Sequence, residues 1–394
     1  MTSLSSDLQQ LDELLAEGVE GARQREASAF DESVRGNTTE LVLFGAGNLG
    51  RRTLARLRKI GISPVCFLDN NSARWGQDIE GVPVMSPSDG ARLYGSSATF
   101  VVTVWGALGT DRMASRIAHL RQIGCKNVVS FLPLYWKYAD LLLPHYTIDL
   151  PHHVHSDAEH VRQGFDLMAD DLSRREYLAQ LRFRLLGDFE CLAAPVPGAI
   201  YFPKDLFKLC KDEVLVDCGA FDGDTLTLFL NESGNVFESV IAFEPDPGNF
   251  AKLAELVSCF PQDVRQRVTL HQAATGEINE KLMMDVGIGP SSYIGCGDLE
   301  VQSFELDSLL KDVPVTFIKM DIEGSELAAL KGAEKSIQKN SPILAISAYH
   351  RQSDLWKIPI LIHRMNPHYT FHLRPHMLEA WDLVCYAVPP NRIS

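Results

Sequence analysis

Residues 213–244 restrict the fold more than any other stretch of this chain. Glu213-Val-Leu-Val-Asp217 reads as a short buried strand that runs into a glycine turn, Cys218-Gly-Ala-Phe-Asp-Gly223. A helix opens at Asp224, with Leu226, Phe229 and Leu230 at helical spacing. A second strand, Ser239-Val-Ile-Ala-Phe243, closes on Glu244. Strand, turn, helix, strand and acid in that order make a unit that holds the adenosyl half of a cofactor. Gly219 and Gly223 carry no Cβ, so the backbone can approach a ligand closely. Glu244, ionised at pH 7, only accepts hydrogen bonds, which suits the paired hydroxyls of a ribose.

The turn discriminates between ligands. A dinucleotide fingerprint, G-x-G-x-x-G, seats a pyrophosphate on the helix N-terminus. Here the turn reads D-C-G-A-F-D-G-D, and Asp222 and Asp224 stand where a pyrophosphate would lie. Acids around a looser glycine turn suit a cationic, phosphate-free ligand. S-adenosylmethionine, with a sulfonium and an ammonium, is such a ligand.

The chain has 394 residues, the length of two or three domains, and its 45% hydrophobic content supports large cores. A formal net charge of −14 argues against nucleic acid as a partner, because phosphate contacts need basic patches. The eight cysteines are scattered, without a C-x-x-C pair, and read as buried thiols of a reducing cytoplasm. The N-terminus is polar and acidic, unlike a signal peptide, and no apolar run reaches the length of a membrane span.

Residues 1–36 read as an amphipathic helical lead-in, with Leu8, Leu11, Leu14 and Leu15 on one face. It docks on the body or pairs two copies in a homo-oligomer. Residues 37–133 read as a Rossmann-like nucleotide-binding domain. A strand, Leu41-Val-Leu-Phe44, is followed by Gly45-Ala-Gly47-Asn-Leu-Gly50 and a helix. The next strand ends at Asp69, about twenty residues beyond the turn, which completes the dinucleotide fingerprint. Residues 134–199 read as a linker, with loop and extended pieces through His155. A helix follows from Ser173, which forms a capping box with Glu176. His152, His153, His155 and His160 do not follow a zinc spacing, and no metal is expected.

Residues 200–394 hold the second domain. Further strands are expected at 267–271, 315–320, 342–347, 368–373 and 383–388, and 276–304, including Gly287-Ile-Gly-Pro-Ser-Ser292, reads as irregular. The last two strands are close enough for a hairpin, which puts an antiparallel strand into a mostly parallel seven-stranded sheet. The expected fold class is α/β with two Rossmann-like domains. In such sheets ligands lie beyond the carboxyl ends of the strands. Those ends carry Asp217, Glu244, Ala273, Asp321, Glu323 and His350.

The motifs V-D-C-G-A-F-D-G-D-T, F-E-P-D, F-I-K-M-D-I-E-G-S-E and A-Y-H-R-Q-S-D-L-W-K-I-P occur in this order. Over about residues 200–390 the chain resembles the FkbM family of S-adenosylmethionine-dependent methyltransferases. The resemblance implies a class I methyltransferase fold and O-methylation of a hydroxyl on a sugar, glycan or natural product. It implies that Asp217, Gly219 and Gly223 touch the cofactor, that Glu244 takes the ribose, that the segment around Ala273 approaches the adenine and that Asp321 meets the methionine end. Many members have Asn where Phe221 stands. The first domain, through F-G-A-G-N-L-G and F-L-D-N-N, resembles the nucleotide-sugar-binding domain of bacterial amino-sugar acetyltransferases. That implies Gly45, Gly47 and Gly50 near a diphosphate and Asp69 near a sugar or base.

A sugar hydroxyl is a weak nucleophile, so a group that takes its proton is expected. His350, at the end of the fifth strand, is the first candidate by position. His376 is the second and Asp321 the third. Two other functions stay open: an NAD-dependent oxidoreductase built on the first glycine turn, and a non-catalytic nucleotide-binding assembly protein.

Overall fold

The computed structural model describes residues 2–34, 40–106, 111–285, 293–294, 297 and 299–393. The chain divides into two compact units. One comprises Met1–Ala158, Leu178–Ala194 and Met377–Trp381, and the other Glu159–Tyr177, Pro195–His376 and Asp382–Ser394.

The first unit is built on β1 (Leu41–Phe44), β2 (Cys66–Leu68), β3 (Asp78–Ile79), β4 (Val82–Met85), β5 (Thr99–Val102) and β6 (Asn127–Ser130). Their order is β3-β4-β2-β1-β5-β6, and only the β3–β4 pair is antiparallel. β1, β2 and β5 are buried along their whole length, which is why they read as unbroken apolar runs. The lead-in is two helices, Thr2–Leu15 and Gly18–Ser33, broken where Gly18 takes φ +72°. Its buried stripe runs through Asp7, Leu11 and Leu15, so Leu8 of the expected face is exposed.

The histidine stretch expected as loop forms a short helix, Pro151–Ser156. Glu26 accounts for it. Its Oε1 accepts the His152 N–H at 2.6 Å, and its Oε2 lies 2.8 Å from His152 Nδ1. Residues Met377–Trp381 also belong to this unit, where Trp105 Nε1 donates to Glu379 O at 3.0 Å and Arg116 pairs with the buried Glu379 carboxylate at 3.3 Å.

The second unit contains two sheets. Its strands are β7 (Val214–Cys218), β8 (Ser239–Phe243), β9 (Val268–His271), β10 (Ala274–Gly276), β11 (Glu280–Asp285), β12 (Tyr293–Ile294), β13 (Leu299–Glu305), β14 (Phe317–Met320), β15 (Ile343–Ser347), β16 (Thr370–Pro375) and β17 (Leu383–Val388). The main sheet has seven strands in the order β16-β17-β15-β14-β7-β8-β9, with β17 antiparallel to both neighbours. This is the α/β architecture expected. The smaller sheet, β10-β13-β11-β12, replaces part of the expected irregular stretch, while Gly287–Ser292 lie outside the described residues. In β13, Val301 and Ser303 are buried and their neighbours less so, a period of two.

The helix expected to begin at Ser173 spans Asp171–Leu186. Asp170, not Ser173, caps it, and its Oδ1 accepts the Ser173 N–H at 2.7 Å. Ser173 Oγ instead accepts from the Leu373 N–H (3.0 Å) and Arg374 Nη1 (2.9 Å) of β16, so its hydroxyl serves the sheet.

Candidate active site

The site is built on the carboxyl edge of the seven-stranded sheet. β7 is central and wholly buried, and Asp217 near its end is 0% exposed. Burial raises the Asp217 carboxyl above its ordinary range, against the pull of Lys319. Lys319 lies opposite Asp217 in the β14–β7 register. Its Nζ stands 3.0 Å from Asp217 Oδ1 and donates to Gly219 O at 2.6 Å. The ammonium therefore holds both the strand end and the turn. Sequence reasoning missed this lysine. A single Lys in the apolar run of β14 was visible, but its pairing needed the strand order.

The turn glycines have a packing reason beside the one expected. Gly219 sits at φ +81°, and a Cβ there would lie 1.9 Å from Asp321 O. Gly223 sits at φ +95°, and its Cβ would lie 2.3 Å from Leu256 Cδ2. The chain's own packing demands both, whether or not a ligand approaches. Phe221 takes φ +48°, the left-handed region in which Asn is enriched.

The bent turn aims the Phe221 N–H at Glu244 Oε2 (2.9 Å), and the Asp246 N–H donates to Oε1 (2.9 Å). Glu244 is 6% exposed, and burial pushes its carboxyl up to about 7. Each oxygen accepts one N–H and keeps a second acceptor position. Ala273 is buried on the same edge and donates its N–H to His271 O at 3.0 Å.

Beyond β14 and β15 the edge is crowded with acids. Asp321 Oδ2 accepts from the Tyr201 hydroxyl at 2.8 Å, and Oδ1 from the Tyr349 hydroxyl at 3.4 Å. Burial would raise Asp321, but the His350 and Lys319 charges hold it below the usual carboxylate range. His350 is buried, with Nδ1 2.8 Å from Glu326 Oε1 and Nε2 3.3 Å from Asp321 Oδ1. Burial would lower this imidazole. The Glu326 carboxylate foremost, with Asp321 and Glu323, pushes it up to about 10 instead. A ring that carries both protons near neutral pH cannot take a third, so the structure sets His350 against the base role that its position suggested.

His376 fares no better as a base. Its Nε2 lies 2.8 Å from the Tyr386 hydroxyl, and burial drops its pKa to about 4. Asp382, which sequence reasoning passed over, interacts with Tyr349, Asp321 and His350, and burial pushes it up to about 6. A cavity of about 440 Å³, lined by Phe202, Lys204, Phe207, Lys208 and Val236, lies at the opposite, amino-terminal edge of this sheet and shares none of these acids.

The first unit's glycine turn divides differently. A Cβ on Gly45 (φ +118°) would meet Val104 Cγ2 at 2.5 Å, and one on Gly50 would meet Gly45 O at 1.9 Å. A Cβ on Gly47 would have only Arg74 Nη1 near it, at 3.8 Å. Asp69 is engaged within the chain. Its Oδ2 accepts from the Ala46 N–H and Arg74 Nη1, both at 2.9 Å, and its Oδ1 from the Asn71 N–H at 2.8 Å.

Comparison with known proteins agrees with this geometry. A crystal structure of methyltransferase FkbM from Methylobacillus flagellatus KT is 27% identical, with a TM-score of 0.77 over 98% of this chain and 99% of that one. Hexuronic acid methyltransferase AglP from Haloferax volcanii is 29% identical over 152 residues, or 38% of this chain. The match spans 62% of the length of that curated relative. The model of the methyltransferase FkbM domain matches residues 217–381, which begin at Asp217 and include Glu244, Lys319, Asp321 and His350. Residues 217–381 therefore belong to the FkbM methyltransferase family, whose cofactor is S-adenosylmethionine.

Proposed function

We propose that this chain transfers a methyl group from S-adenosylmethionine to a hydroxyl oxygen of a sugar or glycan. The observation that carries this is Glu244, a buried strand-end carboxylate held by two backbone N–H groups with acceptor capacity left over. The residues present fit the cofactor. Glu244 would hold the ribose, the segment at Ala273 would approach the adenine, and Asp321, braced by two tyrosines, would face the ammonium. When bound, the cofactor supplies a methyl on a sulfonium, whose carbon–sulfur bond breaks with its electron pair left on sulfur.

The chain's own task is to place an oxygen behind that methyl and take its proton. Asp382, poised near 6 at the same edge, is the group we assign to the proton. The name of the Haloferax relative points to a sugar acid as the acceptor class. In the first unit, open space over Gly47 beside the Arg74 guanidinium supports a bound diphosphate, as in a nucleotide or nucleotide-sugar. No observation favours an oxidoreductase.

The test is transfer of labelled methyl to hexuronic acid and neutral hexose glycosides, with calorimetry of S-adenosylhomocysteine. Label in an O-methyl group is expected. Asp382→Asn should lower turnover by roughly 10²–10⁴ and leave product affinity unchanged. Absence of both transfer and S-adenosylhomocysteine binding would defeat the proposal. Turnover within a few-fold of wild type would remove Asp382 from it.

A further inference from the structure

One imidazole in the second unit is enclosed by three carboxylates. His350 Nδ1 faces Glu326 Oε1 at 2.8 Å, while Nε2 faces Asp321 Oδ1 at 3.3 Å and Glu323 Oε2 at 3.9 Å. Ligand atoms of Asp321, Glu326 and His350 all lie within 4.8 Å of one another. Glu326 is 1% exposed, and its Oε2 has no hydrogen-bond partner among the described residues. Glu323 Oε2 has none either.

We propose that His350 Nε2, Asp321 and Glu323 form a divalent-cation site, with Glu326 as the residue that positions the imidazole. Three observations carry this. First, bonds of about 2.1 Å to a cation place neighbouring ligand atoms about 3 Å apart, so Asp321 needs to close on Nε2 by about 0.3 Å and the partly exposed Glu323 by about 0.9 Å. Second, a metal-bound imidazole gives its other N–H to a carboxylate, and Glu326 already sits at Nδ1 in that role. Its Oε1 also accepts the Ile322 N–H at 2.9 Å, which fixes the carboxylate to the Asp321–Glu323 segment. Third, three carboxylates around one ring leave excess negative charge. One nitrogen and carboxylate oxygens suit a first-row cation such as Mn²⁺ or Zn²⁺.

Three protein ligands leave coordination positions open. The sheet edge that holds them is the edge on which the proposed methyl transfer would place its acceptor, so the cation would take an acceptor oxygen and make its proton more acidic. This last role rests on the proposed methyl transfer. The site itself does not.

The experiment uses the full chain, stripped with chelator and desalted. Mn²⁺ binding is followed by calorimetry and by electron paramagnetic resonance, with the nitrogen coupling of the bound ion measured. One Mn²⁺ per chain is expected, with coupling to an imidazole nitrogen. Glu323→Gln, on a partly exposed residue, keeps the fold testable and should weaken Mn²⁺ at least tenfold. His350→Ala should abolish the nitrogen coupling. Glu326→Gln should weaken Mn²⁺ by roughly 10–100-fold. No stoichiometric Mn²⁺ on the folded wild-type chain overturns the site, as does wild-type affinity in both Glu323→Gln and His350→Ala. S-adenosylhomocysteine is titrated into the same wild-type sample. Product binding without Mn²⁺ binding overturns the cation site alone, and Mn²⁺ binding without product binding overturns the cofactor assignment alone.

Discussion

In the proposed cofactor site, Glu244 would couple binding to pH. Its carboxyl, ordinarily near 4.5, is pushed up to about 7 by burial, and two ribose hydroxyls need the ionised form as acceptor. Below about 7 a ligand must first displace a proton. S-adenosylhomocysteine affinity should therefore fall by up to tenfold per pH unit as pH drops through that range, and level off above it. Each charge-assisted bond is worth about 1.5–3 kcal/mol, so Glu244→Ala should weaken binding at least tenfold and flatten the pH profile. Calorimetry between pH 6 and 8, taken as roughly one unit on either side of that value, checks both; equal affinity in the variant would take Glu244 out of the site. Lys319 is the structural counterpart. Lys319→Met leaves Asp217 buried without its cation, which costs about 3–5 kcal/mol when one partner of a buried pair is removed. Adding Asp217→Asn should restore much of that loss. Chemical unfolding of the single and double variants measures it, and a single-variant loss under about 1 kcal/mol would show that the pair does not brace the turn.

At the level of elements, the two glycine turns look alike in sequence and differ in what they require. Gly219 is locked by Asp321 O and by a left-handed backbone, whereas Gly47 has an ordinary φ of −84° and open space. Gly219→Ala should destabilise the second unit by several kcal/mol or prevent its folding. Gly47→Ala should stay within about 0.5 kcal/mol of wild type and still lose nucleotide-sugar affinity, because the methyl occupies the approach to the backbone. Unfolding curves paired with titration of UDP-sugars separate these outcomes. Loss of stability in Gly47→Ala would show that this turn, too, serves packing. Both helix starts were legible as glycine turns, since the spacing is local. Which glycine leaves room for a ligand was not, because the clashing atoms come from other strands and helices.

For the whole molecule, one glycine turn in each of the two units predicts two independent ligands. S-adenosylhomocysteine and a UDP-sugar should each bind one equivalent, and neither should change the other's affinity by more than about twofold, within the error of additive sites. Competition in a two-ligand titration would place both on one turn. Order along the chain determined much of this protein from sequence alone. Apolar runs, helical spacing and glycine turns act between near neighbours, and they were enough to specify seven strands, one reversed, with Asp217, Glu244 and Asp321 on the carboxyl edge. Tertiary structure decided the rest. Lys319 meets Gly219 across 100 residues, His152 meets Glu26 across 126, and Trp105 meets Glu379 across 274. The surroundings of His350 were decided in the same way, by Glu326, Asp321 and Glu323 converging on one ring. A side chain's proton affinity and its freedom to bind depend on the burial and charge around it, and those arise only when distant strands come together.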